Sequence, residues 1–265
     1  MITEDDSTIS AFESRQTILP RSVGFDLFSI LLLDMSGSIV SSGSIPLVQN
    51  AARTFIDRVV VDQRVAIMLF DGRRELQPLV DFTDDPEELY AGIASLSEIT
   101  PVDPSTNLNG AVEAALAKLD RESRLSLDKL QGGSLIVFTD GTDQASRVSD
   151  ADIRDRVTEA PHTVFAVGLG EEVDAMHLGA IGKDGAEFAD PEGIVAAFNR
   201  VAERLRDESQ KFYVLGYCSP KRAGTHTLAL AVGDHRGSLT YDFAADDFGP
   251  GCDPSVFGLN TPTTD

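Results

Sequence analysis

The sequence predicts an α/β fold: a doubly wound, mostly parallel six-stranded sheet with helices on both faces. Three observations carry this expectation. Short apolar runs alternate with amphipathic segments through the middle of the chain, the pattern of a parallel sheet covered on both sides. The run from Phe28 to Leu33 is apolar at nearly every position and reads as a buried strand. Two such runs end in carboxylates, Asp34 and Asp140, at the strand ends where open α/β sheets place their sites.

Taken along the chain, Met1-Ile2-Thr3-Glu4-Asp5-Asp6 reads as the boundary of a fragment of something longer, and Ile9–Ile18 as a strand. Phe28–Asp34 follows as the first sheet strand. Ile45–Val59 carries Ile45, Val48, Ala52, Phe55, Ile56 and Val59 on one face at helical spacing. Arg64–Phe70 and Leu76–Phe82, joined by Asp71-Gly72-Arg73-Arg74, read as an antiparallel hairpin. Pro86 to Leu96 is a helix with proline and acids in its first turn. Leu108–Leu119 is an alanine-rich helix and Ser134–Thr139 a strand. Helix Asp150–Val157, strand Thr163–Gly168, helix Ala175–Ile181 and strand Ala186–Ala189 come next. Pro191–Glu208 is the last helix, with Ile194, Val195, Phe198, Val201, Ala202 and Leu205 as its buried stripe.

After Gln210 the period changes. Phe212–Tyr217, Thr225–Val232 and Ser238–Phe243 read as strands, the last two joined by the turn Gly233-Asp234-His235-Arg236-Gly237. With Ile9–Ile18 they are expected to form a small β extension built from both termini. The organisation expected is residues 1–25 as an N-terminal β segment, 26–210 as the main domain, and 211–265 as a C-terminal β extension and tail.

Composition narrows the partners. A formal net charge of −21 argues against nucleic acid, which needs a basic footprint to displace counterions, and against anionic lipid. Acidity of this kind keeps a protein soluble. No run reaches the roughly 18 apolar residues of a membrane span, and residues 1–15 lack the pattern of a secretory signal. Cytosolic residence, or a mature exported fragment, fits both observations. The two cysteines, Cys218 and Cys252, both fall in the C-terminal segment, outside long apolar runs. A disulfide between them is expected, at about 3–4 kcal/mol in the chain-entropy model, and favours export; two reduced thiols would favour the cytosol.

The candidate site is spelled by three segments. Asp34-Met35-Ser36-Gly37-Ser38 offers a carboxylate and two hydroxyls at alternate positions, a set that can converge on a hard cation. Asp103-Pro104-Ser105-Thr106-Asn107-Leu108-Asn109-Gly110 is a polar loop opening a helix, and Leu135-Ile136-Val137-Phe138-Thr139-Asp140-Gly141 is a strand ending in a carboxylate. Together they resemble the metal-ion-dependent adhesion site of von Willebrand factor type A domains, over roughly Asp26 to Gln210. The resemblance implies a Rossmann-like sheet with one antiparallel edge strand. It also implies a Mg2+ site, open to Mn2+ or Ca2+, with Asp34, Ser36, Ser38, Thr106 and Asp140 as ligands. Ser36, Ser38 and Thr106 can then bind the ion directly while Asp34 and Asp140 act through bound water, and in that family a partner's Glu or Asp carboxylate takes the remaining position.

Neighbouring residues have plainer readings. Asp143 reads as a helix cap or solvated acid, Asp103 as loop structure, and Asn107 as a loop-holding amide. His162, His177, His226 and His235 make no metal-ligand pair at helical spacing. Gly168-Leu169-Gly170 lacks the third glycine of a dinucleotide loop, since Val173 takes its place. An aspartyl phosphatase would need a second acid where Ser36 stands. The expectation is therefore a non-enzymatic, Mg2+-dependent protein-binding module for adhesion or assembly, exported to a bacterial cell surface or periplasm. Tyr213-Val214-Leu215-Gly216-Tyr217-Cys218 adds a looser resemblance to bacterial surface proteins of this superfamily. The rivals are an intracellular assembly factor partnering an AAA+ ATPase and a Mg2+-dependent phosphatase.

Overall fold

The structure, a computed structural model, describes residues 2–10, 17–20, 25–61, 63–123, 130–170, 173–210, 213–231 and 238–249. The chain divides into two compact units, Phe25–Gln210 and Met1–Gly24 with Lys211–Asp265. Three short strands come first: β1 (Ile2–Glu4), β2 (Ser7–Thr8) and β3 (Thr17–Pro20). The larger unit begins with β4 (Phe25–Asp34), α1 (Gly37–Ser41), α2 (Ile45–Val59), β5 (Arg64–Phe70), β6 (Gln77–Thr83) and α3 (Pro86–Ser95). It continues with α4 (Leu108–Glu122), β7 (Leu130–Thr139), α5 (Asp150–Glu159), β8 (Thr163–Leu169), α6 (Ala175–Ile181), β9 (Gly185–Ala189) and α7 (Ile194–Gln210). The smaller unit closes with β10 (Tyr213–Gly216), β11 (Thr225–Ala231) and β12 (Ser238–Ala244).

The six-stranded sheet has the order β6-β5-β4-β7-β8-β9. All neighbours are parallel except the edge strand β6, which pairs antiparallel with β5. This is the α/β class read from the sequence. The inner strand β4 divides the core by simple alternation, because successive side chains of a strand point to opposite faces. Leu31 and Leu33 join Phe55 and Ile56 of α2, Leu89 and Ile93 of α3, and Phe198 and Val201 of α7. Ile30 and Leu32 join Val112 and Leu116 of α4, Ile153 and Val157 of α5, and Leu178 and Ile181 of α6. All four β4 residues are fully buried. A strand held between two packed layers is a rigid support for whatever stands at its end.

Helix starts follow from local chemistry. At α3 the Asp85 side chain accepts the Glu87 N–H at 2.9 Å, and Pro86 needs no partner in the first turn. The helix α7 begins at Ile194 rather than Pro191, because Asp190 Oδ1 accepts the Gly193 N–H at 2.8 Å and holds 191–193 as a turn. The five-residue α1, directly after Ser36, has too short a pattern to be legible and was not expected.

In the smaller unit the four-stranded sheet runs β12-β11-β1-β2, and β10 pairs with β3. This corrects the N-terminal expectation. Ile9 and Ser10 are not strand, residues 11–16 lie outside those described, and the strand content sits at Ile2–Glu4, Ser7–Thr8 and Thr17–Pro20. The reason is Asp5-Asp6, whose φ values of 49° and 62° form a two-residue turn between β1 and β2. Consecutive aspartates are not the usual turn pair, so the signal was weak. The opening residues, read as a mere boundary, contribute a buried anchor. Glu4 accepts the Ser219 hydroxyl at 2.7 Å and also the Tyr217 hydroxyl. Burial and this carboxylate together push the Tyr217 phenol well above its ordinary value.

The ring of Phe198 packs at 6.4 Å from that of Phe55 and 5.8 Å from that of Phe138, joining α7 to α2 and the sheet. Phe198→Ala should cost about 3–5 kcal/mol, read as a lowered denaturant midpoint of the full chain. A loss below about 1 kcal/mol would show that the α7 layer does not depend on this ring.

Candidate metal centre

The first loop leaves the end of β4 and is tied down on both sides. The Met35 N–H donates to Phe70 O at 2.8 Å, and the Gly37 N–H to Pro104 O at 2.9 Å. A Cβ on Gly37 would lie 2.9 Å from Pro104 Cβ, so only glycine lets the first and second loops approach this closely. Asp34 turns its carboxylate back on its own loop, where Oδ1 accepts the Ser36 N–H at 2.8 Å. Its Oδ2 accepts the Thr139 hydroxyl, from the end of β7, at 2.6 Å.

The second loop is organised by Asp71, in the turn between β5 and β6. Asp71 Oδ1 accepts the Arg73 N–H and Nε–H, both at 2.9 Å, and Oδ2 accepts the Val102 N–H at 3.0 Å. The backbone continues the tie: the Gly72 N–H donates to Asp103 O, and the Asn107 N–H to Asp71 O. Asn107 Nδ2 donates to Arg73 O at 2.7 Å. Asp103 Oδ1 accepts the Ser105 N–H and hydroxyl, a local loop role as its position indicated. Thr106 is thereby held in a buried position at the start of α4.

The third loop follows β7. The Gly141 N–H donates to Thr139 Oγ1 at 3.2 Å, and Thr106 O accepts the Gln144 and Ala145 N–H groups at 2.8 and 3.0 Å. Asp143 accepts the Asn109 N–H in the first turn of α4 at 3.1 Å and the Ser146 N–H at 2.8 Å. It is the helix-capping acid anticipated, and it pins the third loop to the second.

These ties bring the candidate oxygens together. Ser38 Oγ donates to Asp140 Oδ1 at 2.7 Å, and Ser36 Oγ lies 3.2 Å from Ser38 Oγ. Asp34 joins them through the Ser36 amide. Thr106 stands outside these bonds, with its hydroxyl beside the third loop, 3.8 Å from where a Gly141 Cβ would stand. The set is oxygen-only, three hydroxyls and two carboxylates, the donor chemistry of a hard divalent ion.

The electrostatics fit a cation. Burial pushes the Asp34 carboxyl up to about 6; hydrogen bonds from Thr139 and Ser36 pull it back, and Asp140 pushes it further up. Its hydrogen-bond partners are all neutral. A dry carboxylate facing a second carboxylate is relieved by a bound positive ion, so the residues present suit a divalent metal.

Two contributors lay outside the sequence reading. Thr139 was seen only as a strand end, and Asp71 only as a turn residue; the adjacency of Thr139 to Asp140 was the one available signal. The histidines make structural contacts. His162 Nε2 lies 2.9 Å from Asp120 Oδ1, and His177 Nε2 lies 2.8 Å from Asn109 Oδ1. His226 Nδ1 lies 2.7 Å from Asp5 Oδ2, whereas His235 lies outside the described residues. Glu4, Asp5 and His226 cluster in the smaller unit, but their polar atoms are already bonded to Ser219, Tyr217, Thr227 and one another. Cys218 is buried, and Cys252 lies outside the described residues.

Residues 29–142 match the von Willebrand factor type A domain. No curated protein sequence matches the chain significantly. Among solved structures, manganese-loaded TRAP protein of Plasmodium vivax superposes with a TM-score of 0.59 at 14% identity, over 88% of this chain and 97% of that one. The vWF domain of the type V pili tip protein Mfa5 from Porphyromonas gingivalis gives 0.53 at 12% identity, over 72% and 99%. Proximal thread matrix protein 1 of the mussel byssus, with a zinc-occupied MIDAS motif, gives 0.54 at 16% identity. That alignment covers 72% of this chain but 48% of the mussel protein. At these identities the likeness is one of fold, and the six-stranded unit has the von Willebrand factor type A fold.

The raised Asp34 carboxyl makes a signed prediction for protein kept in chelator. A proton held more tightly by the folded than the unfolded state contributes stability below about pH 4 that is lost as pH rises through about 6. Asp34→Asn keeps the shape, and its amide can still pair with Ser36 and Thr139. The variant should gain on the wild type as pH rises from 4 to 7, approaching an advantage of about 3 kcal/mol. The readout is the denaturation midpoint against pH; a flat difference, or one of opposite sign, would refute buried charge at this position.

Proposed function

We propose that the type A unit is a divalent-cation-dependent protein-binding module. In this reading Asp34, Ser36, Ser38, Thr106 and Asp140 hold a Mg2+, and the ion takes a Glu or Asp carboxylate from a partner protein. The observation carrying it is the bond from Ser38 to Asp140, which joins the first and third loops beside a buried aspartate with neutral partners. When bound, the metal supplies an electrophilic centre that reverses the local sign of a very acidic chain. The residues do the rest: neutral hydroxyls leave the ion's charge largely uncompensated, and Thr139 and Ser36 orient Asp34. The relatives loaded with manganese, or with zinc at the equivalent motif, support a divalent site, and Mn2+ and Ca2+ remain alternatives to Mg2+.

Adhesion or assembly outside the cytoplasm is the setting we favour. The pilus-tip relative supports it, and no helix among the described residues is long and apolar enough to cross a membrane. A disulfide between Cys218 and Cys252 belongs to the same reading. An intracellular assembly factor is the alternative within the fold. A phosphatase is disfavoured by Ser36 standing where a second acid would serve.

Metal-stripped protein titrated with Mg2+ should show a raised thermal midpoint, since a ligand at 100 times its dissociation constant adds about 2.7 kcal/mol. Asp34→Ala and Thr106→Ala should abolish that response. Stabilisation persisting in both variants would place the ion elsewhere, and phosphoester turnover lost in Asp34→Ala would favour the phosphatase.

Alkylation of denatured, unreduced protein should label neither cysteine, and both after reduction. Two labelled thiols before reduction would remove the disulfide and shift the reading toward the intracellular alternative.

A further inference from the structure

A groove of about 770 Å3 runs along α4 and shares a loop with the candidate metal centre. Its wall includes Arg74, Arg121, Arg147 and Arg156 against two carboxylates, Glu113 and Asp120. Among the described residues, only one of these arginines is bonded to a carboxylate: Arg156 donates to Asp120 at 2.5 Å. Arg147 donates through Nε and Nη2 to the uncharged Gly72 O, at 3.2 and 2.9 Å. Arg74 and Arg121 have no side-chain partner among the described residues. In a chain of net charge −21, four arginines facing two wall carboxylates are the reverse of the general surface.

The groove adjoins the metal centre through covalent neighbours. Asn107, which lines it, directly follows Thr106, and Arg147 is anchored on the turn that carries Asp71. Asn107 Oδ1 is buried without a hydrogen-bond partner. Gly110, also in the wall, puts no side chain over it, since a Cβ there would stand 2.6 Å from that oxygen.

We propose that this groove binds an acidic polypeptide segment flanking the carboxylate that the metal takes, so that one partner is held at two adjacent places. This rests on the metal-centre reading above. Two features select the occupant. The guanidinium groups suit carboxylates. Glu113 and Asp120 in the wall, and the acidic chain around it, weigh against a polysulfate, which carries more charge per length than a run of glutamates.

The test uses the full chain and two labelled peptides, hexaglutamate and a Gly/Ser peptide carrying one glutamate, each with Mg2+ and with chelator. Wild type should bind hexaglutamate about tenfold more tightly than the single-glutamate peptide, with the margin fading at high salt. Arg74→Gln/Arg121→Gln should lose about three- to tenfold in hexaglutamate affinity, the scale of two exposed charge pairs. Its thermal midpoint and single-glutamate binding should be unchanged. Asp34→Ala should lose the chelator-sensitive part on both peptides and keep a salt-sensitive remainder on hexaglutamate. Chelator-sensitive binding that ignores the double arginine variant would overturn the groove while leaving the metal reading intact. Arginine-dependent binding indifferent to chelator would leave the groove and overturn the coupling to the metal. Displacement of hexaglutamate by a sulfated oligosaccharide at lower charge concentration would overturn the polypeptide as occupant.

Discussion

The constraint on which the site depends is the burial of one carboxylate, Asp34, at the end of an inner strand. Placing an ion in a dry interior is costly unless it is neutralised or well bonded. Here the bonding comes from an amide and a hydroxyl, enough to orient the group but too little to offset its desolvation. Asp34 cannot move toward water, because β4 is clamped between two hydrophobic layers. The core thus maintains a position that is electrostatically unfavourable by itself and favourable once a cation shares it.

A second buried aspartate shows what a purely structural solution looks like. Burial also pushes Asp71 up, but the Arg73 guanidinium and the amides of Arg73, Val102 and Asp103 outweigh it, leaving its carboxyl below the ordinary value. The two aspartates end adjacent parallel strands, β4 and β5, or directly follow them, and have opposite balances. Asp71 is compensated within the protein and fastens the loop that presents Thr106. Asp34 is left for something outside it. Opposed environments for like residues are a recognised mark of divided roles.

The same division appears in the charge of the whole chain. An acidic exterior disfavours an acidic ligand, yet the candidate centre and the neighbouring arginine groove both present positive or metal-ready chemistry on one side of the type A unit. Beyond a Debye length of about 8 Å the general acidity is screened, so the local arrangement governs recognition. In the smaller unit a third buried acid, Glu4, follows the structural pattern and accepts two hydroxyls within its own sheet.

By itself the sequence determined the class of fold and the succession of most elements along the chain, because periodicity and strand-end chemistry are local properties. Phe28–Asp34, the hairpin around Asp71-Gly72, and the helix Ile45–Val59 are all written in residues within a few positions of each other. It also marked out Asp34, Ser36 and Ser38, since alternate oxygens after a strand carry their own chemical logic, while Thr106 and Asp140 joined them as what the resemblance to type A domains implies. What it did not contain was how the loops are held. Thr139 meets Asp34 across 105 positions, and Asp71 reaches Val102 across 31, contacts for which no local pattern exists. The β1–β2 hairpin was missed because its turn is made by two aspartates with positive φ, a conformation that composition does not announce. The raised carboxyl of Asp34 and the gathering of arginines along α4 were likewise decided only by the tertiary structure. Burial and convergence are properties of the packed chain, in which residues far apart in sequence share one dry pocket or one exposed wall.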